Sequence, residues 1–331
     1  MKIRSFAGKL LESVFIVLCI ITLNFFLIRF MPGDPVMHII GEEDYFSMEK
    51  SAPEVLDAIR ADYGLDRSLP EQYLSYLKKT ASFDFGNSYR LKTPVLETVL
   101  FRLRWTLWLA IPATIIAAIL GGWLGLAAGS RPGGMADMIC TPFFTVLGTI
   151  PTNCLAILFL IGLAFKAGLF PVSGITSGGL EGAAKLLDII HHMILPMSVL
   201  AVYKTASNYM LMKSTVSMVR DEEYVTTAVS KGLNPSQVRK KHILVNAVCP
   251  YMTSICMQFG NMLAGSMMTE VVFSWKGMGT LIYDSVNTKD FPMLQTCFLI
   301  TAVCVVVFNR IADLLCFIID PRLRGEGRDA S

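Results

Sequence analysis

Six stretches of this chain are apolar for long enough to cross a lipid bilayer, and no other feature restricts its fold so severely. A bilayer core takes about 20 consecutive apolar residues of helix, and runs of that quality lie near 9–30, 99–129, 137–166, 189–217, 246–269 and 293–319. In lipid each backbone group must be bonded internally, so such runs pack as helices. The expected fold class is an all-α membrane protein of about six transmembrane helices. Composition points the same way. Of the 331 residues 53% are hydrophobic and 17% charged, against about 25% charged in an ordinary soluble chain. A net charge of +3, with no basic stripe interleaved with aromatics, gives no sign of nucleic acid as a partner. The partner this composition demands is the lipid bilayer.

Lys2, Arg4 and Lys9 precede an apolar run that continues to Phe30. The run is too long for the core of a signal peptide and lacks a small-residue cleavage site, so it reads as an uncleaved first span. Orientation follows from Lys and Arg in the short loops. With the N-terminus cytoplasmic, the inside segments hold Arg131, Lys213, Arg220, Lys231, Arg239, Lys240, Lys241, Arg322, Arg324 and Arg328, while the short outside loops hold only Lys166, Lys185, Lys276 and Lys289. Both termini are therefore expected inside. The eight cysteines lie in or beside apolar stretches without a Cys-x-x-Cys pair, which indicates neither a disulfide framework nor a zinc site.

These readings divide the chain into a first transmembrane helix (1–30), an extracytoplasmic cap (31–98), a five-helix core (99–320) and a cytoplasmic tail (321–331). The cap is too polar for lipid. Ser51-Ala-Pro-Glu54 reads as a capping box with Pro53 at the first helical position, Gly64 closes that helix, and Pro70 opens a second one. Two short helices between the first and second spans are the result expected.

Within the spans, Gly121, Gly125 and Gly129 stand four residues apart and form a groove that lets another helix approach closely. Polar residues inside lipid are costly unless they face protein or water. The fifth span carries Ser254, Gln258, Asn261, Gly265 and Thr269 in one helical stripe, the third carries Thr141, Thr145, Gly148 and Thr152, and the fourth carries Lys204, Asn208 and Thr215. Three such stripes suggest a shared water-accessible path; interhelical hydrogen bonding without a path is the alternative. Glu12, Glu270 and Asp313 sit near span ends, so no carboxylate relay for proton coupling is evident.

Between the fourth and fifth spans runs a basic cytoplasmic stretch, 220–250, that reads as a short helix, a turn at Gly232–Pro235 and a second helix entering the membrane. The segment Tyr224, Val225, Thr227, Ala228, Lys231, Gly232 and Leu233 resembles the coupling loop of ABC importer permeases of the dipeptide, oligopeptide and nickel family. Its head is Thr226-Thr227-Ala228 where the general pattern has Glu-Ala-Ala, and its proline is displaced to Pro250. Met31–Pro35, Tyr63–Tyr73, Phe273–Leu281 and Asp320–Arg324 resemble that family's first, B-type membrane subunit, in the same order along almost the whole chain. Lys276 stands where the family often has proline.

The resemblance implies the MetI-like permease core in a bacterial or archaeal plasma membrane. It also implies that Glu223, Tyr224, Thr227, Ala228, Lys231, Gly232 and Leu233 couple the spans to an ATPase. The partners implied are a similar second (C-type) permease, two cytoplasmic ATPase subunits that use ATP and Mg, and an extracytoplasmic substrate-binding protein. This chain itself is expected to bind no cofactor, to hold no metal and to carry no catalytic residue, since it has no Gly-x-x-x-x-Gly-Lys-Ser/Thr loop to cradle phosphates. Peptides are the expected cargo. Nickel or a metal chelate is the alternative within the family, and an ion-coupled secondary carrier is the alternative outside it.

Overall fold

The computed structural model describes residues 3–30, 34–62 and 64–319. Among these residues the structure is helical, with one isolated antiparallel bridge, Asn87 to Pro94. The helices are α1 (Ile3–Arg29), α2 (Pro35–Ile40), α3 (Glu42–Ser51), α4 (Pro53–Asp62), α5 (Leu69–Ala81), α6 (Val95–Ser130), α7 (Met135–Thr149) and α8 (Thr152–Phe159), the last extended by a π-helical turn, Leu160–Lys166. There follow α9 (Gly182–Arg220), α10 (Glu223–Ser230), α11 (Pro235–Val238), α12 (Val245–Gly260), α13 (Met262–Val272), α14 (Met278–Asn287) and α15 (Phe291–Ile319), with a π-helical stretch, Arg239–Leu244, joining α11 to α12.

Among the described residues, four helical stretches can cross a membrane by length and composition: α6, α9, Pro235–Gly260 and Phe291–Leu315. The pair α7 and α8 makes a fifth if counted as one broken span. Helix α1 contributes a shorter apolar stretch, Leu11–Phe26. The third of the six expected spans is thus not one straight helix. Pro151 has no N–H to give and pushes Ile150 into an extended conformation (φ −80°, ψ 122°), so the chain bends by 103° between α7 and α8. Apolar side chains such as Ile119, Trp123, Phe143, Val146 and Phe165 are exposed, as a surface solvated by lipid requires.

The chain forms two compact units. The first comprises Trp105–Gly279 and residues 305–319. Its core gathers Phe144, Leu147, Leu155, Leu195, Val199 and Tyr209 where α7, α8 and α9 meet, and Leu109, Leu200 and Trp275 elsewhere. The second comprises the described residues up to Arg104 and Thr280–Cys304. There Val36, Tyr45 and Leu56 form a small core under α2–α4, and the Phe25 ring of α1 packs edge-on to Tyr73 and tilted against Tyr76 of α5.

Two local expectations for the cap are corrected. Ser51 does not cap a helix start. It ends α3, and its hydroxyl donates to the Ser47 carbonyl at 2.6 Å. The capping box is made by Ser68 and Glu71 at the head of α5. Among the described residues the cap holds four helices rather than two, because Asp34 caps α2 through the Val36 N–H at 2.9 Å and the chain turns again at Gly41 (φ +99°). Of the motif Met31–Pro35, residues 31–33 lie outside the described residues, as do Tyr63, the motif Asp320–Arg324 and the tail 321–331.

Candidate functional site

The stretch after α9 folds as an arm within the first unit, packed on α9 and α12. Val225 and Ala228 of α10 are buried with Val238, Ile243, Ala247 and Tyr251, against Met212 and Val216 of α9. Tyr224, Thr227 and Lys231 are exposed; their spacing of i, i+3 and i+7 keeps them on one side of the arm, adjoining the buried Val225 and Ala228. The turn reverses at Gly232, whose φ of +78° lies where side chains other than glycine's are strained. Asn234 starts the next turn by accepting the Ser236 N–H at 3.1 Å, with Pro235 at the first helical position. Glu223, Tyr224, Thr227, Lys231 and Gly232 therefore stand in the open, Leu233 is half-buried, and Ala228 is a packing residue of the arm's own core. A cleft of about 500 Å3 lies where the arm meets the ends of α6 and α9, and Arg131, Arg220 and Arg239 are among the residues lining it.

Helix α9 lies in the groove of Gly121, Gly125 and Gly129. A Cβ placed on Gly121 would sit 2.5 Å from the Asn208 Cβ, and one on Gly129 would sit 2.8 Å from the Val216 Cβ. This close approach brings polar groups of four helices together in two separate sets. In one, the Lys204 ammonium donates to Thr114 Oγ1 of α6 at 2.7 Å, and a turn later Gln258 of α12 donates to Asn208 Oδ1 at 2.5 Å. In the other, Lys213 pairs with Asp137 of α7 at 2.5 Å and donates to Thr141 Oγ1 at 2.8 Å, and the Tyr209 hydroxyl lies 2.7 Å from the same Thr141 oxygen.

The expected path residues are thus divided. Asn208 and Gln258 bond directly, with Ser254 half-buried one turn away. Thr141 belongs to the Asp137–Lys213 cluster instead, and Thr145 is exposed, its hydroxyl donating to the Thr141 carbonyl. Thr152 is not in the stripe of Thr141 and Thr145, because it begins α8 beyond the bend. The fifth-span stripe is likewise interrupted. Asn261 (φ −92°, ψ 0°) ends α12 and is exposed, while Gly265 and Thr269 fall in α13, where Thr269 is fully buried.

One site was missed in the sequence. Glu270 is fully buried at the end of α13. Its carboxylate accepts from Thr106 Oγ1 and the Gly279 N–H, each at 2.7 Å, and from Ser266 Oγ at 3.2 Å. Thr106 in turn accepts the Met278 N–H at 2.7 Å, and Trp275 bonds back to the Glu270 carbonyl at 2.8 Å. The Phe273–Gly279 loop is thereby strapped over one carboxylate, with Lys276 exposed at its tip. Gly277 and Gly279 let the loop approach: a Cβ on either would lie within 2.9 Å of Glu270 Oε2. The signal available in the sequence was an acidic residue closing an apolar helix, followed by Gly-x-Gly.

The adjacent histidines face different partners. His191 Nε2 lies 3.0 Å from the Leu169 carbonyl and His192 Nδ1 lies 2.8 Å from that of Asp188. Among the described residues no group of three or more His, Cys, Asp or Glu side chains is arranged to hold a metal ion.

Comparison with known proteins gives a consistent result. Residues 121–325 match the family of binding-protein-dependent transport system inner membrane components, and residues 3–110 match the N-terminal family of the same membrane components. The chain is 33% identical over 321 residues to the oligopeptide transport system permease protein AppB of Bacillus subtilis (strain 168), covering 95% of this chain and 97% of that one. It is 32% identical over 319 residues to the dipeptide transport system permease protein DppB of Lactococcus lactis subsp. cremoris (strain MG1363), covering 96% and 97%. The fold is shared, at a TM-score of 0.53 and 17% identity, with a solved amino acid ABC transporter, over 66% of this chain and 93% of that one.

Proposed function

The chain belongs to the family of binding-protein-dependent transport system inner membrane components, and on that premise we propose that it forms one half of a peptide path. It is a multi-pass inner-membrane permease subunit of an ABC importer, and ATP hydrolysis occurs in separate ATPase subunits. Such a subunit works with ATPase and substrate-binding partners and with a second permease. In the arrangement proposed, the second permease is a C-type homologue and two ATPases that use ATP and Mg dock from the cytoplasm. Both termini lie on that side, and a binding protein delivers cargo to the opposite face. Dipeptides or oligopeptides are the cargo, in line with the relatives' names.

The observation that carries this reading is the division of the arm into buried anchors and exposed side chains. Val225 and Ala228 anchor α10 to the bundle, leaving Tyr224, Thr227 and Lys231 exposed for a partner. Closure of the ATPases would then push a rigid lever seated on α9 and α12. The polar contacts of α9 and α12, with Asn208, Ser254 and Gln258, lie along the route the cargo takes. The glycine groove sets how closely α6 approaches α9 beside that route.

The test is reconstitution of the assembled importer in proteoliposomes. ATP-dependent uptake of a dipeptide or tripeptide is expected, together with cross-linking of a Thr227→Cys variant to an ATPase subunit. Uptake of a nickel chelate and not of peptides would replace the cargo. Uptake by this chain without an ATPase would replace the mechanism.

A further inference from the structure

Helix α9 carries two lysines that the structure treats differently. Lys213 is neutralised by Asp137 at 2.5 Å. Lys204, near the middle of the 39-residue helix, donates to Thr114 Oγ1 alone; among the described residues no carboxylate reaches it. Thr114 spends its own hydrogen on the Ala110 carbonyl at 2.8 Å, so it serves Lys204 purely as an acceptor. Two of the three ammonium N–H groups are left open. One turn on, Asn208 is fully buried, its Oδ1 is taken by Gln258, and its Nδ2 has no partner among the described residues.

Unused donors at i and i+4 share a helix face. An ammonium inside a membrane bundle is expensive and marks the passage of a counter-charge or cargo. A buried amide N–H without an acceptor is costly too. What both groups lack is an acceptor, and a carboxylate offers one oxygen to each together with the counter-charge that a neutral carbonyl lacks.

We propose that Lys204 and Asn208, with Gln258 fixing the Asn208 amide, form a carboxylate-recognising subsite for the cargo within the path. This rests on the reading of the chain as a peptide importer subunit: every unmodified peptide brings a C-terminal carboxylate. An acidic side chain of the neighbouring permease offers the same chemistry. Asn208, however, is closed off by this chain's own helices, so the carboxylate meets it as α6, α9 and α12 part, not across an outer surface.

The experiment compares a tripeptide with its C-terminal amide in the assembled importer. The binding protein is saturated with either peptide and its occupancy is measured separately, so that its own preference does not enter. Wild type is expected to carry the free acid about tenfold faster than the amide. Lys204→Gln should bring that ratio close to one, whereas Lys204→Arg should keep most of it. Equal rates in wild type overturn the proposal without recourse to any variant. An unchanged ratio in Lys204→Gln overturns it as well, as does failure of that variant to retain the sister permease on purification, which would assign the ammonium to the subunit interface. If wild type takes up neither peptide, the importer reading itself fails, and the subsite with it.

Discussion

Gly125 of α6 stands so close to Met212 of α9 that a Cβ added to the glycine would lie 2.8 Å from the methionine Cβ and 2.6 Å from the Tyr209 carbonyl oxygen. The nearest atom is backbone and cannot swing aside. We predict that Gly125→Ala destabilises the solubilised complex by about 1–3 kcal/mol, the range for overpacking, and that Gly125→Val prevents assembly. Gly162→Ala is the control, since a Cβ there meets nothing within 4 Å. Thermal unfolding of the three variants checks the ordering.

At Gly232 the space is open and only the backbone matters, with φ at +78° and no atom within 4 Å of an added Cβ. Left-handed backbone costs a β-branched residue on the order of 1–2 kcal/mol, and asparagine tolerates it better. Gly232→Val should insert normally yet lose transport and the ATPase stimulation caused by loaded binding protein. Gly232→Asn should retain more of both. Full transport by the valine variant would remove the arm from the coupling mechanism.

Replacing Glu270 tests the strap over the Phe273–Gly279 loop. In Glu270→Gln one carboxylate oxygen becomes an NH2 group, which cannot accept from both Thr106 and Gly279 as the carboxylate does. Leaving one buried donor unsatisfied costs about 1–3 kcal/mol. Hydrogen exchange at Met278 and Gly279 should accelerate accordingly, with α10 unaffected. Unchanged protection at both amides would show that the carboxylate does not hold the loop.

Asp34 makes the cap sensitive to acid. Burial pushes its carboxyl up, but hydrogen bonds from Arg60, the Val36 N–H and Tyr45 outweigh this and hold it below its ordinary value. A depressed pKa in the folded cap contributes stability that is fully present above the unfolded value of about 3.9 and is lost as pH falls through the folded value. Protection of the α2–α4 amides, measured against their intrinsic exchange rate at each pH, should therefore fall on acidification through that window. Asp34→Asn should show the lowered protection at neutral pH and little further change. A pH response identical to wild type in the asparagine variant would rule out this carboxylate as the source.

The sequence by itself determined what lipid and local geometry dictate. Bilayer thickness sets the length of an apolar run, so spans such as α6 and α9 were legible from composition alone. The Gly232 turn and the Asn234-Pro235 helix start were legible because each depends on one or two residues. The four-residue spacing of Gly121, Gly125 and Gly129 announced a close helix contact, but not its partner.

Tertiary structure decided which faces meet. It assigned α9 to the glycine groove, gave Lys213 a carboxylate and Lys204 only a hydroxyl, and drew Thr141 away from Asn208 into a different cluster. It also moved the capping box from Ser51 to Ser68, because whether a serine opens a helix depends on where the preceding helix ends. Glu270 was passed over for a related reason. Its position in the sequence says only that it ends an apolar helix, whereas its burial comes from Thr106, 164 residues away, and from a loop that folds back. Periodicity and motif are properties of neighbours along the chain; a buried charge is stabilised by groups that only packing brings within 3 Å.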